Sequence, residues 1–111
     1  MKVRDDPSID DRNEEMNALL VALTGLRKGD ARVRLPLDWS GVSGKVADAF
    51  NAVVEQNADM TGELARLRQV VGKEGKLKQR ASLQGARGFW GESVECINSL
   101  IDDLVHPTSE V

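Results

Sequence analysis

Gly44-Lys-Val-Ala-Asp-Ala-Phe50-Asn-Ala-Val-Val-Glu-Gln-Asn57-Ala-Asp-Met60-Thr-Gly-Glu-Leu64-Ala-Arg-Leu67-Arg-Gln-Val-Val71 places Val46, Phe50, Val53, Asn57, Met60, Leu64, Leu67 and Val71 at steps of 4, 3, 4, 3, 4, 3 and 4. That is a heptad seam, with Phe50, Asn57, Leu64 and Val71 at a and Val46, Val53, Met60 and Leu67 at d. A helix over 44–71 would be about 42 Å long at 1.5 Å per residue. Nothing else in 111 residues is large enough to cover such a rod, so the seam is expected to face a second copy of itself. Asn57 supports this, because one Asn at an a position fixes register and favours a parallel two-stranded arrangement. The alternative is an Asn turned to solvent at a loose point of the seam.

Upstream, Asp6 or Ser8 offers an N-cap, with Pro7 at a first helical position. Met16, Leu19, Leu20, Leu23 and Leu26 follow at helical spacing, and Gly29 after Arg27 and Lys28 is a stop signal. The segment 30–43 alternates Val33, Leu35 and Leu37 with Arg32, Arg34 and Pro36, which reads as an extended connector. Downstream, Gly72 to Gly88 repeats that connector. A last helix carries Trp90, Ser93, Ile97, Leu100 and Leu104, and Pro107 after His106 ends it.

The pattern is an internal repeat. Gly41 and Gly88, Gly44 and Gly91, Phe50 and Ile97, and Asn51 and Asn98 are each 47 residues apart. Each unit reads helix, connector, helix, and the second helix of the first unit continues into the first helix of the second. A connector of some fourteen extended residues, at about 3.3 Å each, can return along a whole helix and leave its two helices parallel. The expected architecture is all-α: a parallel four-helix coiled-coil bundle formed by a homodimer, with two helix-connector-helix units stacked along one axis. The expected divisions are an N-terminal tail and helix start over 1–12, units over 13–60 and 61–107, and a tail over 108–111. The dimer core is expected from Leu20, Leu23, Leu26, Val46, Phe50, Val53, Asn57, Met60, Leu64, Leu67, Val71, Trp90, Ile97, Leu100 and Leu104. The connector positions are Gly29, Ala31, Leu35, Gly41, Gly44, Gly75, Leu77, Ala81, Gly88 and Gly91.

Composition narrows the functional classes. The chain is 41% hydrophobic, 30% charged and only 4% aromatic, with a net charge of −3 and one cysteine, Cys96. This suits amphipathic helices that need a partner, gives no general attraction to nucleic acid, and suits a reducing compartment. The longest apolar run, from Ala18 to Leu23, is far short of the roughly 20 residues of a membrane span. The acidic N-terminus lacks a secretory core. Cytoplasmic placement without membrane insertion is expected.

No catalytic or metal constellation stands out, and neither an enzymatic role for this segment nor a cofactor is expected. His106 reads as an exposed residue at a helix end, and Cys96 as a small packing residue beside Ile97. Glu92, Glu95, Asp102 and Asp103 read as a solvated face. Gly72-x-x-Gly75 and Gly85-x-x-Gly88 lack the Lys-Ser/Thr of a phosphate loop. Arg32, Arg34, Lys73, Lys76, Lys78, Arg80 and Arg87 put positive charge on the connectors, and salt bridges to acidic helix faces are the favoured reading over RNA or lipid head groups. Trp39 and Trp90 flank the glycines that open each second helix, where an indole can anchor the connector.

Taken together, these residues resemble HAMP domains, the dimeric signal-relay modules of bacterial and fungal sensor kinases and chemoreceptors. The family's connector signature, Gly-x-apolar-x-x-x-apolar, is similar to Gly29-Asp-Ala31-Arg-Val-Arg-Leu35 and to Gly75-Lys-Leu77-Lys-Gln-Arg-Ala81. The opening of its second helix is similar to Gly44-Lys-Val-Ala-Asp-Ala-Phe50-Asn51. The phrase from Val71 to Leu77 followed by Gly88 to Asn98 is similar to the tandem arrays of soluble hybrid histidine kinases. The resemblance spans about Asn13 to Pro107. It implies a two-component signalling role: an intracellular relay that passes helix rotation or repacking from a sensor input to a histidine-kinase-type output domain further along the same chain. It also implies that the two units prefer opposite states. One departure is that Val42 and Phe89 stand where the family often has acidic residues, so an apolar contact is expected to replace an acidic cap. A passive coiled-coil dimerisation spacer is the alternative, although a spacer has no use for two returning connectors with matched glycines.

Overall fold

A computed structural model describes residues 9–106. The expected caps Asp6 and Ser8, the helix stop Pro107 and the tail over 108–111 lie outside the described residues. Within them the chain is all-helical and contains no strand. Helix α1 runs Ile9–Arg27, α2 runs Gly41–Leu67, a π-helical turn covers Arg68–Lys73, and α3 runs Phe89–Val105. No helix among the described residues is long and apolar enough to cross a membrane. The chain divides into two compact units, the first ending at Ala58 and the second beginning at Asp59.

The first unit shows why its connector is long. Helix α1 has Asp10 and Asp11 in its first turn and Arg27 in its last, charges that suit the helix dipole. It ends where Gly29 adopts φ 93°, and the Asp30 amide donates back to the Gly25 carbonyl at 3.0 Å. Gly75, with φ 69°, occupies the matching place in the second unit. A side chain there would have to enter the left-handed region, which only glycine does freely. From Gly29 the chain turns back along α1. Val33 lies so close to Gly25 that a Cβ on Gly25 would come within 2.7 Å of Val33 Cγ1. Leu35 then joins Ala22, Ala47, Phe50 and Val54 in the core, with Ala18, Leu19, Leu26 and Trp39 packed against them. The path ends beside the start of α1, where Ser43 Oγ donates to Glu15 Oε1 at 2.7 Å. Having retraced α1, the chain enters α2 running in the same direction, so the two helices of this unit are parallel.

The second unit repeats the path. Its connector runs back along the end of α2, where the Lys76 amide donates to Val70 O at 2.8 Å and Arg66 Nη2 donates to Arg80 O at 2.8 Å. It then reaches the start of α3, and the two helical segments are again parallel.

Three local differences from the sequence expectations have physical causes. Gly41, Gly44 and Gly91 lie inside helices and not in connectors, because α2 opens three residues before Gly44 on the bond from the Gly44 amide to Ser40 O. The seam does not remain α-helical to Val71. Val70, Val71 and Gly72 are weak helix formers, and past Leu67 the ladder shifts so that the Glu74 amide reaches Gln69 O at 2.9 Å. Cys96, expected as a packing residue, is exposed, because the face of α3 that packs within the chain passes through Val94, Asn98 and Ile101.

Candidate functional site

Each unit fastens its connector to the following helix in the same way. In the first, Asn51 reads both backbone groups of Leu35: the Leu35 amide donates to Asn51 Oδ1 at 2.8 Å, and Asn51 Nδ2 donates to Leu35 O at 3.0 Å. In the second, the Ala81 amide donates to Asn98 Oδ1 at 2.6 Å, and Asn98 Nδ2 donates to Ala81 O at 3.0 Å. Leu35 and Ala81 are both buried, so each asparagine satisfies backbone groups that water reaches poorly.

One arginine beside each pin adds a second tie. Arg34 Nη1 donates to the carbonyls of Ala31 (2.9 Å) and Val33 (2.7 Å), while Nη2 donates to Glu55 at 2.8 Å. Arg80 Nη1 donates to the carbonyls of Leu77 and Gln79, each at 2.7 Å, while Nε and Nη2 reach Asp102 Oδ1 at 2.9 and 2.7 Å. The guanidinium folds the connector around itself and ties it to α2 or α3 by an ion pair. Arg32–Asp30 and Lys76–Glu74 are ion pairs within the connectors. The Arg32 backbone amide and side chain lower the pKa of Asp30, and Lys76, with help from Gln69, lowers that of Glu74. Among the described residues, four of the seven connector cations are paired with carboxylates. Asp102, read as part of a solvated face, holds Arg80.

The fit of connector against helix differs between the units at the paired glycines. At Gly44 a Cβ would lie 2.5 Å from the Trp39 carbonyl oxygen, so glycine is required by a backbone contact. At Gly91 the same atom would lie an ordinary 3.5 Å from the Ala86 carbonyl oxygen. Trp39 is half-buried in the first core. Between it and the helices, Met16, Leu19, Val42 and Val46 help line an apolar groove of about 250 Å³. Val42 and Phe89 remain exposed, and Phe89 meets Trp90 with ring centroids 4.7 Å apart. The connector positions Ala31 and Leu77 are also exposed, whereas Leu35 and Ala81 are buried.

The seam residues separate by face. Phe50, Met60 and Leu67 are buried within the chain, and Leu26, Asn57, Val71, Trp90 and Ile97 are half-buried. Leu20, Leu23, Val46, Val53, Leu64, Leu100 and Leu104 are exposed, with Val53 at 49% and Leu100 at 59%. At about 100° per residue, the exposed stripe on each helix lies between about a quarter and a third of a turn from the stripe covered within the chain. On α1, Met16, Leu20 and Leu23 stand about a third of a turn from Ala18, Ala22 and Leu26. On α2, Val46, Val53 and Leu64 stand a quarter turn from Ala47 and Val54, and Phe50 lies between the two stripes.

Among the described residues no group of three or more His, Cys, Asp or Glu side chains is placed to hold a metal ion. His106 is exposed at the end of α3, where its amide donates to Asp102 O at 2.7 Å. No family model matches the chain, and no solved structure matches it.

Proposed function

We propose that this chain works as a parallel homodimer whose two helix-connector-helix units relay a conformational signal along the helices. The carrying observation is the second apolar stripe on every helix. In a four-helix bundle each helix packs against two neighbours, about a quarter turn apart around its axis. One chain supplies each helix with one neighbour within a unit, and a second copy supplies the other. Val46, Val53, Leu64, Leu100 and Leu104 then meet their counterparts, and Asn57 sets the register.

The resemblance to tandem HAMP arrays adds the relay. In this reading the chain sits between a sensor input and a histidine-kinase-type output domain, and helix rotation or repacking is what passes through it. Parallel helices joined by pinned, returning connectors support it, since a passive spacer needs heptads and nothing that retraces them. Small or polar residues on the bundle faces, including Asn57 and Ser93, leave the packing less specified than an all-leucine seam. Two arrangements a few kcal/mol apart are then accessible.

Disulfide crosslinking tests both parts. Single cysteines at Val46 and at Leu100, each in a Cys96→Ser background, are expected to give symmetric crosslinked dimers. Absence of crosslinking at both positions would refute the parallel dimer. Adding Asn51→Asp in the first unit is expected to change crosslinking at Leu100 in the second. An unchanged pattern there favours the spacer.

A further inference from the structure

The two units fasten their connectors to the following helix alike, but to the preceding helix differently. In the second unit Glu63 and Arg66, one turn apart on α2, grip the connector from the other side. Arg66 Nε and Nη2 donate to Glu63 Oε1 and Oε2 at 2.9 and 2.8 Å, a bidentate pair. Glu63 Oε2 also accepts the Ser82 amide at 2.6 Å. The same guanidinium donates to Arg80 O at 2.8 Å and to Gln79 Oε1 at 3.1 Å. The Glu63 side chain is only 12% exposed.

Counting back 46 residues, the spacing that relates Arg80 to Arg34 and Ala81 to Leu35, the corresponding residues of the first unit are Asn17, Leu20, Val33 and Pro36. None reproduces the grip. Pro36 has no amide hydrogen to give, Leu20 carries no charge, and Val33 has no side-chain acceptor.

We propose that Glu63 and Arg66 form an electrostatic latch that fastens the second connector to the helix before it, so that the two units are released by different means. The first connector rests on α1 through apolar packing of Val33 and Leu35, with no counterpart of the Glu63–Arg66 pair. The second is held on both sides by hydrogen bonds, and breaking one ion pair frees its α2 side while the Asn98 pin stays closed. The latch belongs to the single chain and stands whether or not the homodimer forms. What rests on the relay reading is its consequence, that the second unit carries its own conformational lock.

Hydrogen exchange on the full chain tests this. In Glu63→Ala the Ser82 amide is expected to exchange about tenfold faster or more, the effect of losing a hydrogen bond to a charged acceptor. Exchange over 30–40 in the first connector is expected to stay unchanged. Glu63→Gln keeps an acceptor without the charge and is expected to fall between the two. Ser82 exchange unmoved in Glu63→Ala, or both connectors loosened equally, would overturn the latch. In the crosslinking chains, Glu63→Ala is expected to shift the pattern at Leu100 and leave that at Val46. A chain that never crosslinks removes the dimer and leaves the exchange result to judge the latch.

Discussion

Replacing Asn51 by aspartate exchanges one NH2 group for an oxygen at almost constant volume. The Leu35 amide, 2.8 Å from Oδ1, keeps its acceptor. The Leu35 carbonyl, which now accepts from Nδ2 at 3.0 Å, would instead face a carboxylate oxygen. One hydrogen bond is lost, worth about 1 kcal/mol, and an acceptor that water reaches poorly is left unpaired against a negative charge, worth about 1–2 kcal/mol more. The expected loss at neutral pH is about 2–3 kcal/mol, read by urea denaturation at fixed protein concentration. Part of it should return below about pH 4, the ordinary carboxylate range, where a protonated acid again offers a donor to Leu35 O. Asn98→Asp should behave in the same way, because the Ala81 amide and carbonyl are paired identically. A loss under about 0.5 kcal/mol in both variants, which is the scale of an ordinary surface substitution, would refute the pin.

Gly44→Ala should destabilise by about 1–3 kcal/mol, since its Cβ would strike the Trp39 carbonyl at 2.5 Å, whereas Gly91→Ala should be neutral or gain up to about 1 kcal/mol in helix propensity; thermal melts of the pair check the contrast. Hydrogen bonding to Arg66 first, and then to the Ser82 amide, depresses the Glu63 pKa from 4.5 to about 2. A depressed carboxylate stabilises the fold above its unfolded pKa and loses that contribution as pH falls through the folded one. The advantage of the parent over Glu63→Gln should therefore stand at about 1–2 kcal/mol at neutral pH, allowing for solvent around Arg66, and vanish between about pH 4.5 and 2. Arg80→Ala should cost about 1–2 kcal/mol by denaturation, more than its ion pair with Asp102 alone, because the Leu77 and Gln79 carbonyls lose a donor as well.

The heptad from Val46 to Leu67 made α2 legible, and the glycines and connector alternation made the helix-connector-helix order legible. Steps of three and four could not say which stripe faces inward, because Phe50 belongs to both and the inner stripe is built from Ala47 and Val54, which that seam skips. Asn51 and Asn98 were visible as a matched pair, but not as pins. A side chain that reads a backbone amide and carbonyl sixteen or seventeen residues away leaves no periodic mark. Glu63 and Arg66 look in sequence like any exposed i,i+3 pair on a helix. Only the connector laid over them distinguishes this pair, and the differences of Asn17, Leu20, Val33 and Pro36 from Glu63, Arg66, Gln79 and Ser82 carry no meaning until that path is known. The π turn at Arg68–Lys73 follows from weak helix formers in a row, a signal that the regular spacing of Leu64, Leu67 and Val71 masked.

In the proposed dimer the exposed stripes of α1, α2 and α3 are covered by a second copy. Sedimentation equilibrium across a concentration series measures this directly. The expected result is a species of twice the 12.1 kDa chain mass that persists on dilution into the low micromolar range, typical of specific association. A folded, helical species that stays at the single-chain mass at the highest concentrations reached would contradict it.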